Sequence, residues 1–248
     1  MSRYNDGLSR EQELAWISSQ DEARQLLAAG VHTLRGSKFM DPVRESVLTN
    51  WAMGAEKLLK VALGLHSLSQ GREWPSQKEM KEYRHQIEKL DAQLMSAVDA
   101  WMQDAPRSPY LSAVVARVKD DPAWPRLRAA LGLYGDQGRF RNLDTLTGAP
   151  QAHASPYEAW EEAVQIAWRN SARTARWWSK DWGAMSQSEF DEMSLAVHAA
   201  VTDSIVNWWF MITRLARHGF LGERGRVFGA DAEPQNALPR IEVPDPDY

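Results

Sequence analysis

The chain has 248 residues, 44% hydrophobic and 25% charged, with a formal net charge of −4 and a pI near 5.9. That composition sustains one large domain or two small ones and gives no bulk attraction to nucleic acid or anionic membrane, although a local basic patch is compatible with it. With no cysteine, disulfides, thiolate zinc sites and cysteine nucleophiles are excluded, and a reducing, cytoplasmic setting is compatible.

The polar start MSRYNDGLSREQE has no apolar h-region, which predicts no secretory signal, and no membrane span is expected. Nearly every long segment has apolar residues at period 3.6 and none alternates at period 2, so the fold class is all-α. A first helix is predicted to open at Ser9, with Gln12 completing a capping box, Leu14, Ile17, Leu26 and Leu27 as its apolar positions, and Gly30 and Gly36 breaking or ending it. A second opens at Asp41–Pro42, carries Val47, Trp51, Ala55, Leu58, Ala62 and Leu65 on one face, and closes at Gly71. A third, capped by Ser76 and Glu79, is read as continuous through Trp101. Two short helices split by DDPAWP occupy 108–134.

The stretch YGDQGRFRNLDTLTGAP (134–150) is the main irregular segment, and a subdomain boundary, if there is one, falls near 135–155. Ser155, Pro156 and Glu158 open a helix with Trp160, Val164 and Trp168 on one side. Ser186 and Glu189 open the last helix, which ends near Gly219. Residues 1–219 therefore read as a helical domain, and 220–248 as an extended tail containing Gly and Pro. The expectation is a bundle of five to seven helices, two of them long. Helices of such length, in a chain with twelve tryptophans, point to a homodimer or a protein partner that covers a flank.

His85, in KEYRHQIEKLD (81–91), is the candidate acid/base residue. On a continuous helix it falls opposite the Tyr83/Ile87 stripe, so a solvated surface histidine is the competing reading. Glu56 and Lys60 stand four apart in the order that favours a helix ion pair; in a cleft they could instead orient a ligand.

GAEKLLKVALGL (54–65), followed by YRHQIEKLD (83–91), resembles the helix pair of HEPN-type proteins, over roughly residues 43–103. The resemblance implies a helical dimer, often a metal-independent ribonuclease of toxin–antitoxin or phage-defence systems. The hallmark of those nucleases is an Arg and a later His separated by four to six intervening residues, and none of the six histidines has an arginine at that spacing. The nearest substitutes are Lys60 before His66 and Lys78 before His85. Lysine lacks arginine's bidentate fork, so the resemblance implies binding of RNA or a nucleotide more than its cleavage.

Two basic stretches are candidate phosphate-binding elements. Arg169, Arg173, Arg176 and Lys180 recur every three or four residues and form one face if the helix continues, with Trp177 and Trp182 available for base stacking; the competing reading pairs them with acidic neighbours. Arg139 and Arg141 follow Gly135 and Gly138, where an anion could be held, or where a turn pairs its arginines with carboxylates. This is no P-loop. No motif for a metal or a cofactor is present.

Overall fold

Helix-favouring periodicity is realised throughout the computed structural model, which describes residues 8–83, 85–104, 108–136, 138, 141–148 and 154–238. The helices are α1 (Arg10–Gly36), α2 (Arg44–Ser69), α3 (Gln77–Glu82), α4 (Ile87–Asp104), α5 (Pro109–Lys119), α6 (Trp124–Asp136), α7 (Arg141–Leu146), α8 (Pro156–Asn170), α9 (Gln187–Arg217) and α10 (Gly222–Asp231). The fold is all-α, and no strand occurs among the described residues. The ten helices exceed the expected five to seven, because the third predicted helix divides in two, the irregular 134–150 stretch contains α7, and the tail contains α10.

The capping signals act where the sequence puts them. Ser9 with Gln12, Ser76 with Glu79 and Ser186 with Glu189 form reciprocal capping boxes, and Ser155 accepts from the Glu158 amide. Gly71 and Gly219 end helices at φ of 68° and 100°, a region that glycine enters without a Cβ clash.

α1 and α2 pack along each other, and α9 runs through the centre, touching α1, α5, α6, α8 and α10. The apolar face of α1 differs from the predicted one. Leu14 and Ile17 are exposed, whereas Trp16, Ala23, Leu27 and Val31 are buried. Small residues set this rotation: a Cβ on Gly30 would collide with the Trp51 indole, so Gly30, inside the helix rather than at its end, admits Trp51. The Trp51 Nε1–H then donates to the Leu27 carbonyl at 3.2 Å. Seven of the twelve tryptophans (16, 51, 124, 160, 177, 208 and 209) are buried, each worth about 3–5 kcal/mol against alanine when well packed. Most of the aromatic area read as a partner surface is thus core.

An 18-residue window of α9 is apolar enough to cross a bilayer by length and composition, and 67% of it is buried in this fold, as in the central helix of a core. The residues from 220 do not form an extended tail as far as 238. Gly222–Asp231 is helical, and the Trp209 Nε1–H donates to Ala232 O at 2.7 Å. The reason is steric. A Cβ on Gly229 would strike the Thr213 carbonyl and the Arg217 amide of α9, so the glycines that read as loop formers instead let two helix backbones touch. Residues 239–248 lie outside the described residues.

Candidate functional site

The side of α2 opposite the buried Val47/Trp51/Leu58 face carries Thr49, Met53, Glu56, Lys57 and Lys60 at successive turns, with the buried Ala52 on its flank. His85 from the α3–α4 connection and Tyr134 and Gly135 of α6 face this stripe. Together they enclose a pocket of about 360 Å³, within the size range of small-ligand sites.

His85 is where the helical-wheel expectation fails. The helix from Ser76 is not continuous: α3 ends at Glu82, Gln86 N–H donates to Tyr83 O at 3.1 Å, and α4 starts afresh at Ile87. α3 buries none of its residues, whereas Ile87, Leu90, Leu94 and Val98 of α4 are all buried. Nothing holds α3 in line with α4, so the chain turns between them. The turn carries His85 from the polar side of a helix to the mouth of the pocket, its side chain 43% exposed.

There the His85 Nδ1 lies 2.7 Å from Glu56 Oε2, and the Lys60 ammonium donates to Glu56 Oε1 at 2.6 Å. The Glu56 side chain is only 16% exposed. One carboxylate therefore serves two cation-capable groups through separate oxygens. The geometry favours the proton on Nδ1, donated to Glu56, which leaves Nε2 as the basic atom. Among the described residues, Nε2 has no hydrogen-bond partner. A carboxylate that orients an imidazole in this way is one arrangement compatible with general acid–base chemistry. The expected i,i+4 ion pair of Glu56 and Lys60 is realised, and it lies in the wall of the pocket. Lys57 pairs across to Glu22 of α1 at 2.6 Å.

The far end of the pocket is held by a relay. Tyr134 O–H donates to Glu45 Oε2 at 2.9 Å, and Tyr157 O–H donates to the other Glu45 oxygen. Thr49 Oγ1 lies 2.7 Å from the Tyr134 oxygen and 2.8 Å from its own helix's Glu45 carbonyl. Burial, then the hydrogen bond to Glu45 and that carboxylate's charge, push the Tyr157 hydroxyl up to about 12, so it stays a donor. The Arg44 guanidinium lies 4.6 Å from the centre of the Tyr157 ring.

The basic stretch 169–180 is not one helical face. α8 stops at Asn170, because the Thr174 hydroxyl lies within 2.6 Å of Trp168 O and 2.9 Å of Ser171 O, and the Trp178 indole also donates to Trp168 O, at 2.8 Å. Three of its cations meet acids of α9: Arg173 Nε donates to Asp203 at 2.6 Å, Arg176 to Glu192 at 2.9 Å, and Lys180 to Glu189. Lys180 and the Ser186 cap hold the Glu189 carboxyl down to about 2. Asp203 also takes Arg35 at 2.8 Å. Arg176 covers the buried Trp177 ring at 3.9 Å from its centre, which removes that ring as a stacking platform. Arg169 is exposed. The reading that paired these cations with acidic neighbours is the one realised for Arg173, Arg176 and Lys180.

Arg139 lies outside the described residues. Arg141 opens α7, and its side chain is likewise outside them. Gly138 abuts α8, where a Cβ would lie 2.6 Å from Pro156 Cγ, and α6 packs against α8 across this stretch. Glu192 and Asp203 are used by the arginines above, and His198 is buried, 3.4 Å from Ser194 Oγ. Among the described residues, no three His, Asp or Glu side chains come together as a metal site.

Thr49, Lys57 and Tyr134 escaped the sequence reading, and Gly135 entered it only as a turn glycine before Arg139. The α2 residues were detectable as the polar complement of the Trp51 stripe; Tyr134 and Gly135 arrive only through tertiary packing. Comparison with protein-family models, curated proteins and solved structures gave no match to this chain.

Proposed function

We propose that this chain is a HEPN-like helical protein that binds RNA or a nucleotide, and that the pocket between α2, His85 and α6 is where it does so. The observation that carries the reading is the pair of contacts on Glu56: His85 at 2.7 Å and Lys60 at 2.6 Å, in a concave site with Lys57 beside them. Two lysines and a histidine that gains charge on protonation give an anionic group several donors, and a phosphate is the anion the resemblance points to. Met53 and Gly135 offer the apolar surface a nucleobase needs. His85 is the acid/base candidate, but the absence of the Arg–His spacing leaves strand cleavage outside the proposal. A role in toxin–antitoxin or phage defence is what the resemblance adds.

The test is binding of a fluorescent RNA oligonucleotide and of a labelled mononucleotide at two salt concentrations, for wild type, His85→Ala and Lys60→Ala. The expected result is salt-sensitive binding weakened about tenfold in Lys60→Ala, the order of one charged hydrogen bond. Absence of salt-sensitive binding to either probe overturns the reading.

A second reading, a non-catalytic dimerising or partner-docking protein, is favoured by one observation. Trp178 and Trp182 are 50% and 58% exposed, and Trp182 lies edge-on to Trp168 at 5.8 Å. Light scattering at micromolar concentration tests it, and a monomer speaks against it.

A further inference from the structure

We infer that the pocket is built for one nucleoside monophosphate whose base carries an exocyclic amino group, with Thr49 reading that group and Gly135 keeping the wall flat for the base. The inference rests on the nucleotide-binding reading of this pocket and narrows it.

Along α2 the pocket is polarised. Lys57, Lys60 and His85 with Glu56 form one end, and Thr49 stands at the other. Thr49 is seven residues from Glu56 and eleven from Lys60, about 10–16 Å along a helix that rises 1.5 Å per residue. That is the span of a single nucleotide from phosphate to base edge.

The hydrogen-bond direction at the Thr49 end is fixed by its neighbours. The Glu45 carboxylate only accepts, so the Tyr134 proton points at Glu45, 2.9 Å away, and not at Thr49. The Thr49 proton is then shared between the Tyr134 oxygen at 2.7 Å and the Glu45 carbonyl at 2.8 Å, both acceptors. With its only proton directed into the fold, the Thr49 hydroxyl offers the pocket lone pairs. It accepts from a ligand and has nothing to donate. An amino group satisfies it; a carbonyl at the same place meets an acceptor.

Gly135 lies between the two ends. Its backbone is ordinary helix, without positive φ, and an added Cβ would make only normal contacts: 3.5 Å to His85 Cβ and 3.9 Å to Ala52 Cβ. The fold does not require glycine here, and a glycine inside a helix costs about 1 kcal/mol against alanine. What a methyl would occupy is the seam between His85 and Ala52, both of which line the pocket. Gly132, one turn earlier on α6, also has space, its nearest neighbour Glu88 Cγ at 3.5 Å, but it is not a lining residue. It is a built-in control.

The experiment is calorimetric titration of the full chain with AMP and with IMP, in which the amino group becomes an oxo group and the adjacent ring N1 gains a proton, with inorganic phosphate as a third probe. The variants are Thr49→Val, Gly135→Ala and Gly132→Ala, each with its thermal midpoint. Wild type is expected to prefer AMP by about fivefold, the order of one hydrogen bond. Thr49→Val should bring AMP and IMP together while leaving phosphate binding unchanged. Gly135→Ala should weaken AMP, and Gly132→Ala should not, although both raise the midpoint. Equal AMP and IMP binding by wild type, or equal AMP affinity in the two glycine variants, overturns the inference and leaves nucleotide binding standing. No binding of any probe overturns the reading beneath it.

Discussion

The α2–α6 pocket and the 169–182 segment are both rich in cations, yet they use them in opposite ways. In the segment, Arg173, Arg176 and Lys180 each meet an acid of α9, so their charge is spent on fastening a turn-rich stretch to the central helix. In the pocket, a single carboxylate holds both Lys60 and His85, and the Nε2 of His85 has no partner among the described residues. Four cations in a row do not share one face, whereas three groups from two parts of the chain meet at one pocket. What differs is whether the paired groups also line a cavity, and that is set by tertiary packing.

The comparison can be broken at several points. The largest effect is expected from Asp203→Ala, which strips Arg35 and Arg173 of the acid they share. Denaturant unfolding should show a loss of about 2 kcal/mol, because Arg35 is left partly buried without its counter-charge, and nucleotide binding should not change. Lys60→Ala should do the reverse: a tenfold weaker ligand and a stability change within about 0.5 kcal/mol, as for an i,i+4 pair. If Asp203→Ala abolished binding and Lys60→Ala did not, the two regions would have exchanged roles.

A third measurement follows stability against pH. Burial, the largest cause, pushes His66, His198 and His218 below the usual histidine range, with neighbouring arginines adding to the effect at His66 and His218. The unfolded chain therefore takes up protons first as pH falls, so stability is full above the unfolded histidine value of about 6.5 and drops below it. Thermal midpoints should fall from pH 7.5 to 5.5, and His198→Gln should flatten the slope. The smallest effect is expected for Arg176→Ala. Its exposed pair with Glu192 is worth about 0.3 kcal/mol and its place over the Trp177 ring about 0.5 kcal/mol, and no change in affinity should accompany their loss.

Local signals were legible in the sequence because their physics is local. The three capping boxes, the Ser155 cap and the left-handed glycines at 71 and 219 each involve residues within a few positions of one another. The Glu56–Lys60 pair was legible for the same reason. The failures lie where a distant element decides. The wheel assumed a straight helix and so missed the Glu56 contact of His85, whose side chain is still 43% exposed; α4 packs from Ile87 onward without taking α3 along. The 169–180 stripe assumed that α8 continues, whereas Thr174 and Trp178 turn back onto Trp168 O and end it. The Tyr134 and Tyr157 bonds to Glu45 span 89 and 112 residues. No periodicity could have announced them. In α10, Gly225 and Gly229 read as loop residues although Gly229 marks the tightest approach of that helix to α9.

The placement of α10 has a consequence for how the chain is made. It binds at both ends of the fold: Arg224 reaches Glu13 at 2.7 Å, Asp231 O accepts from Arg24 at 3.3 Å, and Ala232 O accepts from the Trp209 indole. During synthesis α1 leaves the ribosome some 200 residues before these partners exist. Until residue 232 emerges, Trp209 keeps a buried donor unsatisfied and the surface of α1 around Glu13 and Arg24 waits uncovered. A nascent chain stalled before Gly222 should accordingly be cut by protease within α1 and α9, and the same chain released past Leu238 should resist it. The helix read as a loose tail is the piece whose arrival closes the fold.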